Sequence, residues 1–370
     1  MSLSPSSLPD VSAAELALRA AAAERRAGRR LGAAIEDFFR VEQDRLDDRA
    51  RALIGAMVEA SVSAIERDVS AAAARLLAGR GEAAAAKALA AHNAGVLARL
   101  IDSGLLRDRA LMDEIVAQAR VDLIDEALIA NRAPGVTTGL LARLRDHDDP
   151  MVRDAAIDYL LADSRRRAPA EERRAELPAE LHHQLVWWIA AALRERLGGV
   201  SVIADRALVD AAMQRIAHFD GAAGTIVAAH RLAAAIDADV ERLPGLLIEA
   251  LTEGRLTLFA AFLAHALGIE MDEARALALE PDGERLWIAL RALGMERDVL
   301  ARIGWALGEA DRTRDVEALP DAIDAASGVA PEQAGAVIAP LMLTRDFRQA
   351  VRALSLGGAS LGSPSAGGAA

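Results

Sequence analysis

The sequence predicts an all-α protein whose helices stack as antiparallel pairs into an α-solenoid. Three observations lead to this fold class. Alanine and leucine recur in amphipathic runs of helical period through most of the 370 residues. The stops between these runs are short and contain Gly, Pro or Asp, and short connections place consecutive helices antiparallel. Alternating runs of valine, isoleucine and threonine bounded by hairpin dipeptides do not occur, so we expect no strands.

The composition is typical of a soluble protein of the reducing cytoplasm. The 55 acidic and 43 basic residues give a net charge of -12, which repels a phosphate backbone unless one face is strongly basic. The absence of cysteine excludes disulfides, thiol catalysis and cysteine-ligated zinc. Residues 1–10 lack the basic and apolar regions of a signal peptide, and no apolar stretch reaches the length of about 18 that a membrane span needs. We therefore expect a cytoplasmic location and no membrane partner.

The chain is predicted to form five consecutive segments. Residues 1–12 and 355–370 are rich in Ser, Pro, Gly and Ala, so we expect disordered tails. Residues 13–162 and 181–354 carry the helical period and form an N-terminal and a C-terminal helical-repeat segment. Residues 163–180 contain two prolines among arginines and glutamates, which predicts a linker between the two helical segments.

Two short sequences recur at a distance, as expected for helix-pair repeats. The sequence of Asp108–Asp113 (DRALMD) is echoed in Asp205–Asp210 (DRALVD). Gly104 and Gly254 follow leucine-rich runs with the same spacing, and in a repeat such a glycine lies at the turn.

The segment Leu140–Leu161 is the clearest local pattern in the chain. It predicts a helix that ends near Arg145, followed by an acidic turn in which Asp149 is the N-cap and Pro150 the first residue of the next helix. A proline followed by valine and arginine at this point resembles a HEAT-type repeat, so we expect the solenoid to be HEAT-like.

The resemblance to a known family extends over most of the chain. The segments Leu46–Ala78, Leu140–Leu161 and Gly254–Leu307 together are similar to a bacterial family of helical repeats, domain of unknown function 2336, which occurs chiefly in alphaproteobacteria. The matching residues are core and turn residues. The resemblance therefore implies a solenoid-like fold and assigns no catalytic residue.

Trp187 is the centre of the candidate partner-binding set. Its neighbour Trp188 shares a helix face with apolar residues, which predicts that Trp188 lies in the core. Trp187 points about 100 degrees away, so it either packs at the edge of the next repeat, which we favour, or lies exposed in a binding groove. Together with Trp187 we predict that His183, Arg166 and Arg167 contact a partner.

Two acidic clusters could have suggested metal chemistry. The run Asp146–Asp149 is better explained as a loop that caps the following helix than as a metal site. A second run on one helix is interpreted as a solvated face, because no glutamate there has a histidine three residues later; it comprises Asp113, Glu114, Asp122, Asp125 and Glu126. Searches for phosphate-loop, nucleophile-elbow and zinc-protease motifs are negative. We predict no catalytic residues, cofactor or metal.

These observations favour a non-enzymatic scaffold or adaptor that binds an unknown protein or peptide partner. The alternative is a HEAT-like nucleic-acid-binding or repair enzyme that uses an arginine-rich face around Arg165–Arg167, which the net negative charge disfavours. A third hypothesis is a homodimer in which exposed apolar end faces cover one another.

Overall fold

All regular structure in the described part of the chain is helical. The computed structural model describes residues 46–91, 95–132, 139–169, 173–198, 201–348, 350–351 and 354, and these contain no strand. The all-α class predicted from the sequence is confirmed. The predicted tails, 1–12 and 355–370, lie outside the described residues, as do residues 13–45 of the predicted N-terminal segment.

The described residues contain sixteen α-helices and three short 3-10 helices. The α-helices are α1 (Asp48–Gly79), α2 (Ala83–Ala90), α3 (Gly95–Ser103), α4 (Arg109–Ala130), α5 (Leu140–Arg145), α6 (Pro150–Arg166), α7 (Ala179–Arg196), α8 (Val202–Ala217), α9 (Thr225–Ile236), α10 (Leu243–Thr252), α11 (Leu256–Leu267), α12 (Met271–Ala278), α13 (Glu284–Ala292), α14 (Arg297–Ala310), α15 (Leu319–Ser327) and α16 (Pro331–Ile338). The 3-10 helices are Leu105–Arg107, Gly221–Ala223 and Ala339–Met342.

Helix boundaries follow local chemistry that the sequence carries. Helix α5 ends at Arg145, and Asp149 then caps α6 by accepting a hydrogen bond from the Met151 amide at 2.8 Å, with Pro150 as the first helical residue. This boundary is as predicted. Helix α11 ends where Gly268 adopts a left-handed conformation with φ of 65°, which carries no side-chain penalty for glycine.

The apolar side chains form two cores that alternate along the sequence. The first core takes its residues from 53–119 and from 177–212, and the second core from 121–162 and from 228–338. Helix α4 contributes to both: Leu111 and Ile115 in its first half belong to the first core, and Val121 and Ile124 in its second half belong to the second core. The two cores are therefore connected through one continuous helix.

Helix α11 lies at the centre of the second core. Its sequence, LTLFAAFLAHAL, is apolar on almost every side, and ten of its twelve residues are buried. A helix that is hydrophobic all round needs neighbours on all sides. Helices α4, α9, α10 and α12 supply them.

Contacts between helices join sequence neighbours and also distant parts of the chain. The neighbouring pairs α5 and α6, α7 and α8, α10 and α11, and α14 and α15 are in contact. Helix α4 also packs against α14, and Arg120 there donates a hydrogen bond to Asp311, 191 residues later. In a solenoid built strictly in chain order each repeat contacts only its neighbours. The stacked-pair arrangement stays a prediction.

The predicted linker, 163–180, is part of the packed structure where it is described. Helix α6 continues through Arg166, residues 173–178 form no regular secondary structure, and Leu177 is buried in the first core. The predicted division at this point into two helical segments stays a prediction about which parts fold independently.

Candidate functional site

Acidic side chains of α4 point into the protein. Glu114, Asp122 and Asp125 are each less than 9% exposed. The prediction of a solvated helix face at these positions is therefore wrong. The physical reason is that arginines from elements distant in sequence reach the same carboxylates, and a buried charge is tolerated when it is paired and hydrogen-bonded.

The buried carboxylates and their arginines form what we call the ionic cluster. Its members are Asp122, Asp125, Glu126, Asp163, Arg166, Arg167, Arg173 and Arg255. Most of these side chains enclose a cavity of about 210 Å³. Four carboxylates face four guanidinium groups, and the exposed Arg49 adds a fifth cation by pairing with Glu126.

Hydrogen bonds fix each carboxylate of the ionic cluster in place. Asp122 pairs with Arg166 and, at 3.3 Å, with Nη1 of Arg173. Asp163 Oδ2 accepts from Nε of Arg167 at 2.8 Å. Leu256 is the first residue of α11, and its amide donates a hydrogen bond to Asp125 Oδ1 at 2.7 Å. The carboxylate of Asp125 thus satisfies one of the unpaired amides at the start of the central helix.

Burial and pairing shift the acidity of these groups in opposite directions. Burial raises the pKa of Asp125 to about 6, although Arg166 and Arg167 oppose that rise. Burial would also raise the pKa of Glu114, but hydrogen bonds from Arg275 at 2.7 and 2.6 Å outweigh it, and the pKa of Glu114 lies below its usual range. The charge of Asp125 is therefore destabilising in the folded state, whereas that of Glu114 is stabilising.

Next to the ionic cluster, a groove of about 1080 Å³ opens on the surface. We call it the groove. One wall is α1, and the others are the end of α6, residues 174–178, the loop 219–224 and the start of α9. Charged and apolar side chains both line the groove, among them Glu59, Ala60, Arg67, Glu114, Arg165, Arg166, Arg174, Glu176, Leu177, Phe219, Asp220, Ile226, Val227 and Asp272.

Hydrogen bonds between distant segments hold the walls of the groove together. The carboxylate of Glu176 accepts from both the amide and the hydroxyl of Thr225 at 2.8 Å, which ties residues 174–178 to α9. The side-chain amide of Gln118 bonds the backbone of Glu176 in both directions, at 2.8 and 2.9 Å. Ser61 Oγ accepts from the amide of Ala175 at 2.9 Å. Residues 174–178 are therefore anchored to α1, α4 and α9.

Trp187 lies on the surface. The residue is 39% exposed, which corresponds to the exposed alternative rather than to the packed one that the sequence favoured. Trp188 is half-buried and packs against the first core rather than lying within it. His183 lies four residues before Trp187 and so shares its face of α7. Trp187 itself is not among the residues that line the groove.

His183 is connected to the groove through Phe219. The two rings meet edge to face with centroids 6.3 Å apart, and Phe219 lines the groove. The buried His182 stacks on the ring of Phe219 with centroids 4.2 Å apart, and burial lowers the pKa of His182 to about 4. His182 is therefore a neutral packing partner at physiological pH.

Arg166 and Arg167 are engaged inside the protein. The side chain of Arg166 is 10% exposed, pairs with Asp122 and donates to Thr257 Oγ1 at 2.6 Å. Arg167 donates to the carbonyl of Gly254 at 2.6 Å as well as to Asp163. Arg166 lines both the groove and the cavity of the ionic cluster. The predicted role of both arginines in partner binding stays a prediction.

Sequence reasoning missed several residues that build the groove. Phe219, Glu176 and Arg67 belong to three different elements, and no spacing rule relates them. Only the position of Phe219, immediately before the turn at Asp220, could have drawn attention, because a large aromatic residue there needs a packing partner. The run Asp146–Asp149 caps α6, and no group of three metal-ligating side chains occurs in the described part of the chain.

Of the helices in the described ranges, none is both long and apolar enough to span a membrane. A family model described as "Uncharacterised protein conserved in bacteria (DUF2336)" matches residues 100–339. No curated protein and no solved structure matches the chain. The matched range contains every residue of the ionic cluster, whereas the α1 wall of the groove lies before it.

Proposed function

Because the chain belongs to the bacterial family DUF2336, whose description names no activity, we propose a function from its own geometry: a non-enzymatic scaffold or adaptor. In this proposal the groove holds a segment of another protein. The observation that carries it is the groove itself, whose volume of about 1080 Å³ is at the upper end of ligand sites. A groove of this size suits a peptide segment better than a small metabolite.

Two carboxylates that line the groove are held by structural contacts, which supports binding over catalysis at their positions. Glu176 and Glu114 hold Thr225 and Arg275, so their oxygens are committed to structural hydrogen bonds. A general base must instead be free to reach a substrate proton. The groove therefore offers fixed walls and charged edges, which is what a docking site requires.

The proposal includes three finer statements. The helices stack as HEAT-like pairs, which the contacts between consecutive helices support. The protein works in the cytoplasm, which the absence of cysteine supports. Trp187 and His183 form a second contact for the partner beside the groove, since Trp187 is exposed and His183 touches Phe219.

The alternative function, binding of nucleic acid through an arginine-rich face, has less support. Arg166, Arg167 and Arg173 pair with carboxylates of the ionic cluster and have little charge left for phosphates. Arg165 and Arg174 are exposed but lie beside apolar walls.

The experiment that tests the proposed function fills the groove. A partner identified by affinity capture from the native cell is purified, and its Kd is measured for the wild type and for Ala60→Trp. We expect at least about tenfold weaker binding, because the indole occupies the groove. Ala71→Trp is the matched control, since Ala71 is exposed on the same helix and does not line the groove. Equal binding by both variants, or turnover of a small molecule by the pure wild-type chain, contradicts the proposal.

A further inference from the structure

The chain between residues 342 and 354 carries large apolar side chains on its outside. Residues 345–348 are helical, as are 350, 351 and 354, and Phe347, Val351 and Leu354 have the i, i+4, i+7 spacing of one helix stripe. Met342 and Leu343 come shortly before this helix. Each of the five residues is between 46% and 78% exposed. We call them together the 342–354 face.

Polar contacts hold this segment against the protein. Arg348 is buried and pairs with Glu273 of α12, and the amide of Arg345 donates to Glu270 Oε1 at 3.4 Å. An amphipathic helix on a protein surface normally turns its apolar stripe toward the core. In this helix an arginine is turned inward instead, so the apolar stripe is left on the outside of the described chain.

The 342–354 face carries no charge of its own. Residues 333–344 contain no ionisable side chain, and the exposed Arg345 and Asp346 beside the stripe have opposite charges. Such a face offers a foreign protein no charge pattern by which to be selected. A second copy brings an identical apolar face, and a two-fold axis opposes the two faces without a like-charge contact at their centre. These observations favour a second copy of the chain as the occupant.

The size of the face agrees with a weak dimer. At about 120 Å² for a whole apolar side chain of this size, the five exposed side chains present roughly 350 Å² per copy. Interfaces between identical chains are about 65% apolar, so this area corresponds to a total of about 1,100 Å² buried by two copies. Specific interfaces need about 1,000 Å². We therefore expect a Kd in the micromolar range.

From the orientation, charge and size of the 342–354 face we propose that two copies of this chain associate through it as a two-fold symmetric dimer. Phe347, Val351 and Leu354 of each copy form the centre of the contact, and Met342 and Leu343 extend it. The inference goes beyond the proposed function, because none of these residues lines the groove.

The test is sedimentation velocity of the full-length chain at concentrations from about 1 to about 100 µM. We expect a reversible equilibrium between monomer and dimer. The double variant Phe347→Asp and Leu354→Asp should raise the Kd of the dimer at least about tenfold, because each carboxylate would lose its hydration in the contact. A wild-type chain that stays monomeric over this range, or that forms species larger than a dimer, overturns the inference.

The matched control introduces the same two charges at exposed apolar residues elsewhere. Met151→Asp and Val240→Asp together should leave the Kd within about twofold of the wild type. An equal loss in both double variants assigns the effect to net charge and overturns the inference. Unchanged dimerisation by the Phe347→Asp and Leu354→Asp variant places the contact elsewhere and overturns it as well.

Disulfide trapping tests the contact without adding charge. The chain contains no cysteine, so a single introduced cysteine reports only on contacts between copies. Phe347→Cys, Val351→Cys and Leu354→Cys are oxidised separately, and covalent dimers are counted on a non-reducing gel. At least one of them should form the dimer about tenfold faster than Met151→Cys and Val240→Cys, because only residues near the two-fold axis bring two copies of one cysteine within bonding distance. Equal rates at all five positions contradict the proposal.

Two further measurements separate a second copy from other occupants. Raising the NaCl concentration from about 0.05 to about 0.5 M should strengthen the dimer, because salt screens the repulsion between two chains of net charge -12 and leaves the apolar contact intact. A dimer that weakens with salt contradicts an apolar contact. Binding of the wild type to vesicles of phosphatidylcholine and phosphatidylserine, lost in the Phe347→Asp and Leu354→Asp variant, assigns the face to a membrane and overturns the inference.

Discussion

Replacing Asp125 by asparagine tests whether the ionic cluster places a costly charge in the protein. Asp125 is 4% exposed, its pKa is raised to about 6 by burial, and its Oδ1 accepts from the Leu256 amide. Asparagine keeps the size and an acceptor oxygen for that amide but cannot ionise. Arg166 and Arg167 retain Asp122 and Asp163 as partners in the variant.

The sign of the effect follows from the two pKa values of Asp125. An unfolded aspartate has a pKa of about 3.9, whereas the folded value is about 6. The folded state therefore holds the proton more tightly, and this group's contribution to the free energy of unfolding falls as the pH rises from 4 to 6. In the Asp125→Asn variant this contribution does not change with pH, because asparagine does not ionise. Between pH 4 and pH 7 the variant should gain about 2 kcal/mol relative to the wild type, at about 1.4 kcal/mol per pKa unit.

The assay is urea unfolding followed by circular dichroism at pH 4, 5, 6 and 7, for the wild type and for Asp125→Asn. The quantity of interest is the difference in the free energy of unfolding, because paired groups such as Glu114 titrate identically in both proteins. Asp113→Asn is the control, since Asp113 is exposed on the same helix. A difference that is constant over this pH range, or that moves against the variant as the pH rises, refutes our account of Asp125.

Five other substitutions, two of which serve as comparisons, are tested by urea unfolding at pH 7. Gly254→Ala should lower the free energy of unfolding by about 3 kcal/mol or more, because a Cβ would lie 2.7 Å from a backbone oxygen of α4. Gly268 has a similar φ but no neighbour within 4 Å, so Gly268→Ala should lower it by only about 1 to 2 kcal/mol. Equal costs would show that the close approach is unimportant. Asp149→Ala should lose about 1 kcal/mol with its N-cap bond, and an unchanged midpoint would contradict that role. Trp187→Ala should lower the free energy of unfolding by about 1 to 2 kcal/mol, because Trp187 is 39% exposed and part of its apolar surface is still covered. Trp287→Ala, at a residue that is 2% exposed, should lower it by about 3 to 5 kcal/mol, and equal losses would contradict the surface position of Trp187.

Local features of this fold could be predicted from the sequence because local chemistry determines them. Asp149 and Pro150 set the start of α6 through contacts within three residues, so the boundary was correct. Gly104 and Gly254 both lie at turns with positive φ, as the spacing indicated. The repeated DRAL sequences, in contrast, have different roles. Asp108 caps α4, whereas the matching Asp205 lies inside α8.

The ionic cluster and the groove could not be predicted, because they depend on contacts between distant segments. The acidic run of α4 has the composition of a solvated face. It is buried because arginines from distant segments pair with its carboxylates. Arg166 contacts Asp122 across 44 residues of sequence, and Arg275 contacts Glu114 across 161 residues. No periodicity within one helix contains that information. The same holds for Trp187, whose exposure depends on which elements pack beside α7.

Because α4 belongs to both cores, the protein cannot finish folding in the order in which it is made. The hydrogen bond from Arg120 to Asp311 cannot form until the ribosome has added Asp311, 191 residues later. At about 5 to 20 residues per second this delay is roughly 10 to 40 s. During that time the half of α4 that faces the second core is not covered by α14. A nascent chain that stops before α14 therefore exposes apolar surface to chaperones and proteases.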